Sequence, residues 1–170
     1  MKKNSEPEIK YPELKNFVDT NKEYSGLTAG KEKLNFIRNA VLTLRKKKSM
    51  VIDADDPNTI SCGSFFTNPV LSVSEFETFK IKTEALNLLT PYYTTSDKDK
   101  IKIPAAWLVE QSGFVKGYKT KGAGISANHS LAIINLGGKT ADTLSLSEEI
   151  TKSVKEKFGI MLIPEPVIVK

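Results

Sequence analysis

The chain has 170 residues, enough for one well-filled domain or two small ones, and its 39% apolar and 26% charged residues are the balance of a folded protein, not a disordered one. No apolar run approaches the ~20 residues that a membrane helix needs; the basic start M-K-K-N-S-E-P-E lacks the apolar segment of a secretion signal, and the single cysteine, Cys62, excludes an internal disulfide framework and a cysteine-based zinc site. The net charge of +5 favours an anionic partner such as nucleic acid, a nucleotide or a phosphorylated metabolite, and equally fits a solvated lysine-rich surface. The expected compartment is the cytoplasm.

Residues 1–32 are polar and read as loop, interrupted by the short motif K-Y-P-E-L (10–14). Leu34, Ile37, Val41 and Leu44 recur at helical spacing and predict an amphipathic helix over about 33–47. Its last turn carries Arg45, Lys46, Lys47 and Lys48, cations that suit the negative end of a helix dipole. M-V-I-D-A-D-D-P-N-T (50–59) is a short apolar piece followed by turn residues. Val70 and Leu71 suggest a strand, and Ser72 and Glu75 have capping-box spacing ahead of a helix to about Leu89. T-T-S-D-K-D-K (94–100) reads as a polar loop. Pro104 stands at the first turn of a helix through Trp107 and Val109, stopped by Gly113. K-G-A-G-I-S (121–126) reads as a glycine-containing loop and L-A-I-I-N (131–135) as a strand. Thr140 is placed as the cap of a helix over about 141–158, with Leu146, Ile150, Val154 and Phe158 inward and Gly159 as its stop. I-M-L-I (160–163) is a buried strand candidate. Helices and strands mix without a strict βαβ repeat, so the expected class is α+β, a single mixed domain over 33–170 behind an irregular segment at 1–32.

The chemistry visible in the residues is sparse. There is no P-loop and no G-x-G-x-x-G after a strand, and K-G-A-G lacks the spacing of either. S-C-G-S-F-F-T-N-P (61–69) places Ser64 where its hydroxyl serves a turn, a cap or a reaction. A nucleophilic serine needs a base, which His129 would have to supply in space. A serine that only gives up a proton needs instead a fixed position and a strongly basic acceptor such as a carbanion. Asn68 orients a ligand or caps a turn. Glu165 lies between Pro164 and Pro166, which suits a rigidly aimed carboxylate and equally an edge strand that avoids further pairing.

From Glu8 onward, segments spanning almost the whole chain together resemble one family. In order they are K-Y-P-E-L, L-R-K-K-K-S-M-V-I-D-A-D-D-P-N-T-I-S-C-G-S-F-F-T-N-P-V, I-P-A-A-W-L-V-E-Q-S-G-F-V-K-G-Y, G-A-G-I-S-A-N-H-S-L-A-I-I-N and F-G-I-M-L-I-P-E-P-V. They are similar to the C-terminal part of UDP-N-acetylenolpyruvoylglucosamine reductase (MurB), with G-S-F-F-x-N-P the most specific piece and the tyrosine motif pointing to the type I branch. The resemblance implies the fold of that C-terminal domain and a part in the FAD- and NADPH-dependent reduction of UDP-N-acetylglucosamine enolpyruvate to UDP-N-acetylmuramate for peptidoglycan. It also implies roles for individual residues. Ser64 matches the serine that protonates the carbanion at C2, and Glu165 the carboxylate at the substrate's carboxyl end. Tyr11, Lys48 and Asn68 match contacts to the nucleotide-diphosphate portion, and His129 falls where the family has a Gln or His near substrate. The family's L-E-P-E ending reads L-I-P-E, with Ile163 in place of the first glutamate. The family's flavin-binding domain has no counterpart in these residues. The expectation is therefore a fragment, a split-gene half or a decayed remnant that binds no FAD alone and is inactive without a separate flavin domain. No nucleic-acid or membrane partner is expected. The competing reading is a non-catalytic nucleotide-sugar or anion-binding module.

Overall fold

A computed structural model describes residues 7–27 and 30–169 and divides the chain into two compact units, 1–51 and 52–170. The basic start of the chain lies outside the described residues. The segment expected as loop over 1–32 instead carries helices α1 (Pro12–Asp19) and α2 (Lys22–Ser25), and the expected boundary at 32/33 falls inside α3 (Gly30–Lys46). K-Y-P-E-L is a helix start: Tyr11 is the N-cap residue, Pro12 fits the first turn, and Glu13 suits the positive end of the helix dipole. Leu14, Phe17 and Val18 give α1 a short apolar face, with Val18 buried, and they were obscured by the polar residues around them. Asn21 opens α2 by accepting the Glu23 amide at 3.0 Å. In α3 the predicted helix is present, with Ala40 buried and Leu34 exposed. The helix ends where Ser49, itself buried, takes a positive φ of 54°.

Among the described residues the second unit holds two three-stranded antiparallel sheets, three α-helices and a short 3-10 turn at Pro57–Thr59. One sheet has the order β1 (Ser61–Ser64), β6 (Ala132–Asn135), β5 (Ala123–Ile125). The other has the order β2 (Val70–Ser72), β4 (Lys100–Lys102), β3 (Tyr93–Thr94). Helices α4 (Val73–Ala85), α5 (Ala105–Gln111) and α6 (Thr140–Phe158) complete the α+β architecture. Phe65, Phe79, Leu108, Ile125, Ile150 and Leu162 lie in one continuous core drawn from both sheets and all three helices. The inward row predicted on α6, Leu146, Ile150, Val154 and Phe158, is buried throughout.

The capping box at α4 forms as its spacing predicts: the Glu75 amide donates to the Ser72 hydroxyl, and the Glu75 carboxylate accepts the Ser72 amide at 2.8 Å. The helix stops at Ala85, short of Leu89, because Asn87 adopts φ 56° and the Leu88 amide turns back to the Thr83 carbonyl. The loop expected over 94–100 is flanked by paired strand ends, too short and too exposed to show alternation. Residues 123–125 of the expected glycine loop are the buried strand β5. Thr140 is the first helical residue, not the cap: Lys139 holds that position and its amide donates to Asp142. Residues 160–163 form no ladder, although Ile160 and Leu162 are buried; the segment meets residues 65–67 through a single bridge, Phe66 to Pro164.

Candidate functional site

Ser64 ends β1, opposite Ala132 of β6, and the register between β1 and β6 shifts between Ser61 and Ser64. The cause is Gly63, whose φ of 86° suits glycine and not a residue with a side chain. Such a bulge re-aims the residue that follows it. Ser61 carries the local turn bond, its hydroxyl accepting the Gly63 amide at 3.3 Å. Among the described residues nothing is hydrogen-bonded to the Ser64 hydroxyl, which is half-buried. The turn role that the sequence left open for Ser64 is thus filled by Ser61.

The next residue joins three distant segments. The Phe65 amide donates to the Leu131 carbonyl at 2.7 Å, and the Phe65 carbonyl accepts the Glu165 amide at 2.9 Å. Leu131 follows the turn that carries His129. Asn58 holds that turn from the far side, its Oδ1 accepting the Ala127 amide at 2.8 Å. Ser130 is buried and hydrogen-bonded to Glu110. Neither Asn58 nor Glu110 stood out in the sequence as part of the site; the D-D-P-N-T turn signature was the available signal for Asn58.

His129 is half-buried, and its Nδ1 accepts the Leu131 amide at 3.2 Å. In the neutral ring this leaves the proton on Nε2, so Nδ1 is not the base that a serine nucleophile would require. The Glu165 side chain is exposed. Thr67 donates its amide to the Ile163 carbonyl, so residues 163 and 165 turn their backbones toward 65–67. By strand alternation Pro164 faces the outer edge, where it offers no N–H. Pro164 therefore blunts this edge directly before Glu165.

Asn68 has a structural task. Its Oδ1 accepts the Ala105 amide at 2.8 Å, satisfying the first turn of α5 where Pro104 has no side-chain cap to offer. Its NH2 takes no part in that bond. In the first unit, Lys48 lies just beyond α3 and pairs with Glu13, two residues from the exposed Tyr11. Arg45, Lys46 and Lys47 are exposed. Ser64, Asn68, His129 and Glu165 belong to the second unit.

The glycines around β5 are explained by packing. A Cβ at Gly138 would stand 2.5 Å from the Gly122 Cα, and one at Gly124 would stand 2.7 Å from the Tyr118 carbonyl oxygen. These glycines let backbones cross at close range. Among the described residues no three His, Cys, Asp or Glu side chains gather to hold a metal ion, and no helix is long and apolar enough to cross a membrane.

The architecture and this strand-edge site define a mixed α+β domain that presents a serine, a histidine-bearing turn and a glutamate around one phenylalanine backbone. The chain belongs to the UDP-N-acetylenolpyruvoylglucosamine reductase C-terminal domain family, whose model matches residues 55–169. It is 47% identical over 137 residues to the UDP-N-acetylenolpyruvoylglucosamine reductase of Thermobifida fusca, covering 78% of this chain and 38% of the relative. It is 47% identical over 136 residues to that of Mycolicibacterium gilvum, with the same shares, and 41% identical over 148 residues to that of Streptomyces coelicolor, covering 85% of this chain and 39% of the relative. The chain thus spans just under two-fifths of the length of these relatives.

Proposed function

We propose that this chain is the substrate-binding and proton-donating part of a UDP-N-acetylenolpyruvoylglucosamine reductase, acting in the cytoplasm on UDP-N-acetylglucosamine enolpyruvate on the route to peptidoglycan. The observation that carries this reading is the placement of Ser64. Its half-buried hydroxyl has no partner among the described residues and stands one residue from the Phe65 carbonyl that holds Glu165.

The chemistry follows from what each group does well. A serine hydroxyl is a poor acid toward water, but it protonates a carbanion readily because that acceptor is so basic. In this reading Ser64 gives its proton to C2 of the reduced enolpyruvyl group, and the Glu165 carboxyl steadies the neighbouring carboxyl end. Lys48 supplies point charge to the diphosphate in place of Glu13. Tyr11 and the Asn68 NH2 contact the nucleotide portion, and His129 lies on the substrate side with Nε2–H as its donor. FAD and NADPH belong to the family reaction. In this reading the hydride comes from a flavin-binding domain equivalent to the part of the relatives that this chain does not span.

Titration calorimetry of the chain with UDP-N-acetylglucosamine enolpyruvate tests this. Saturable binding, weakened when Lys48 or Tyr11 is replaced, is expected. Absence of binding to the nucleotide sugar, together with tight and steeply salt-dependent binding to DNA, would overturn it in favour of a general anion-binding module.

A further inference from the structure

The turn between β5 and β6, residues 126–131, carries His129 and is tied down at both ends. At its exit the Leu131 carbonyl accepts the Phe65 amide, and the buried Ser130 hydroxyl is bonded to Glu110. At its entry the tie comes from a remote side chain: the Ala127 amide donates to Asn58 Oδ1 at 2.8 Å, across 69 positions. Asn58 is in turn aimed by Asp56, whose Oδ1 accepts the Asn58 backbone amide at 2.9 Å and the Asn58 Nδ2 at 2.8 Å. An ionised carboxylate only accepts and a peptide N–H only donates. The Asn58 side chain therefore has one orientation, with its NH2 toward Asp56 and its C=O toward Ala127. Ala127 and Asn128 are exposed, so water could serve the Ala127 amide in place of Asn58. The bond thus adds little to stability, and what it settles is the path of the turn.

What the turn carries is a defined donor. The Leu131 amide donates to His129 Nδ1 at 3.2 Å, which leaves the proton of the neutral ring on Nε2. That bond needs residues 129 and 131 in one compact turn, and the Ala127 amide stands two residues before the ring. We infer that Asn58, aimed by Asp56, is a positioning residue: by fixing the entry of the turn it holds His129 in the form that presents Nε2–H to the nucleotide sugar. The inference rests on the proposed function for the identity of that ligand, and on the hydrogen bonds alone for the hold on the ring.

His129 is the one histidine of the chain, so its two ring-nitrogen resonances in nuclear magnetic resonance need no assignment. At about pH 8.5, roughly two units above the ordinary histidine value, they report which nitrogen holds the proton. The wild-type chain should show the Nε2–H form alone. Asn58→Ala keeps the backbone amide that Asp56 accepts, so its thermal transition should move little. It should nevertheless show both ring forms in exchange and bind UDP-N-acetylglucosamine enolpyruvate about five- to tenfold more weakly, the worth of one ordinary hydrogen bond. Asn58→Asp sets two carboxylates against each other and should behave as the alanine variant does. Asp56→Asn combined with Asn58→Asp re-creates the donor and acceptor in the opposite order and should restore the Nε2–H form. An alanine variant that keeps that form, or a double variant no better than Asn58→Asp, would overturn the positioning role. A ring that responds as expected in a wild-type chain that binds no nucleotide sugar would overturn the proposed function and leave the hold on His129 standing.

Discussion

The amide of Glu165 donates to the carbonyl of Phe65 at 2.9 Å, which places a carboxylate from near the end of the chain one residue from Ser64. The bond is between backbones, so it fixes the two residues as neighbours whatever their side chains are. Substitutions at either position therefore probe chemistry more than folding.

Ser64→Ala should spare flavin reduction by NADPH in the assembled enzyme and slow reduction of the enolpyruvyl substrate by about a hundredfold to ten-thousandfold, the range of positioned proton transfer. Stopped-flow absorbance of the flavin separates the two half-reactions. Equal slowing of both would assign Ser64 to structure.

Asn68 separates capping from binding. Asn68→Ala leaves the Ala105 amide without its acceptor and should cost about 1 kcal/mol in urea denaturation, as loss of a helix cap does. Asn68→Asp keeps an acceptor and should retain most of that stability while losing the NH2 offered to substrate. An aspartate variant as unstable as the alanine variant would show that the cap is not what Asn68 contributes.

Glu13 and Lys48 form an exposed ion pair, a kind worth roughly 0–1 kcal/mol to stability. Glu13→Gln should barely move the melting temperature and should tighten binding of the nucleotide sugar, because the lysine no longer leaves a carboxylate to meet the diphosphate. Weaker binding in that variant would count against Lys48 as a diphosphate contact.

The Glu75 carboxyl is held below its ordinary value of 4.5 chiefly by its hydrogen bond with the Ser72 hydroxyl, then by the Ser72 amide, with desolvation opposing. A carboxyl whose pKa is lowered by folding stabilises the fold above its unfolded value and loses that contribution as pH falls through the lowered one. Acidification from pH 5 toward pH 3 should therefore weaken the α4 start. Glu75→Gln, which keeps a capping acceptor, should flatten that part of the profile in circular dichroism melts.

Gly138→Ala puts a methyl group 2.5 Å from the Gly122 backbone, where no flexible side chain can yield. A loss of about 1–3 kcal/mol is expected from such overpacking. A neutral result in thermal unfolding would mean that the turn between β6 and α6 can move away from the start of β5 without cost.

The parts of the fold legible in the sequence were those with long periodicity or reciprocal local chemistry. The rows on α3 and α6 repeat over several turns, and the Ser72–Glu75 box needs only four residues. β3 and β4 were invisible because elements of two or three residues cannot show alternation, and they exist only through pairing with each other and with β2. Helices α1 and α2 hid behind polar composition, since one buried valine does not make a pattern. The candidate site divided in the same way. G-S-F-F-x-N-P announced Ser64 and Asn68 through family resemblance, but the bulge at Gly63 and the cap given to Ala105 depend on φ and on a bond spanning 37 positions. Neither is encoded in local composition.

Phe65 uses its N–H toward one segment and its C=O toward another. One consequence concerns which length changes the family can tolerate. Insertions in the exposed loops between Asn68 and Ala127, such as residues 95–99 between β3 and β4, leave both bonds intact, so those loops are free to change length. A single residue gained or lost between Gly63 and Phe66 would shift the pairing by one residue and invert the facing of this segment. Homologous chains should therefore vary in length on one side of the aromatic pair and not within it.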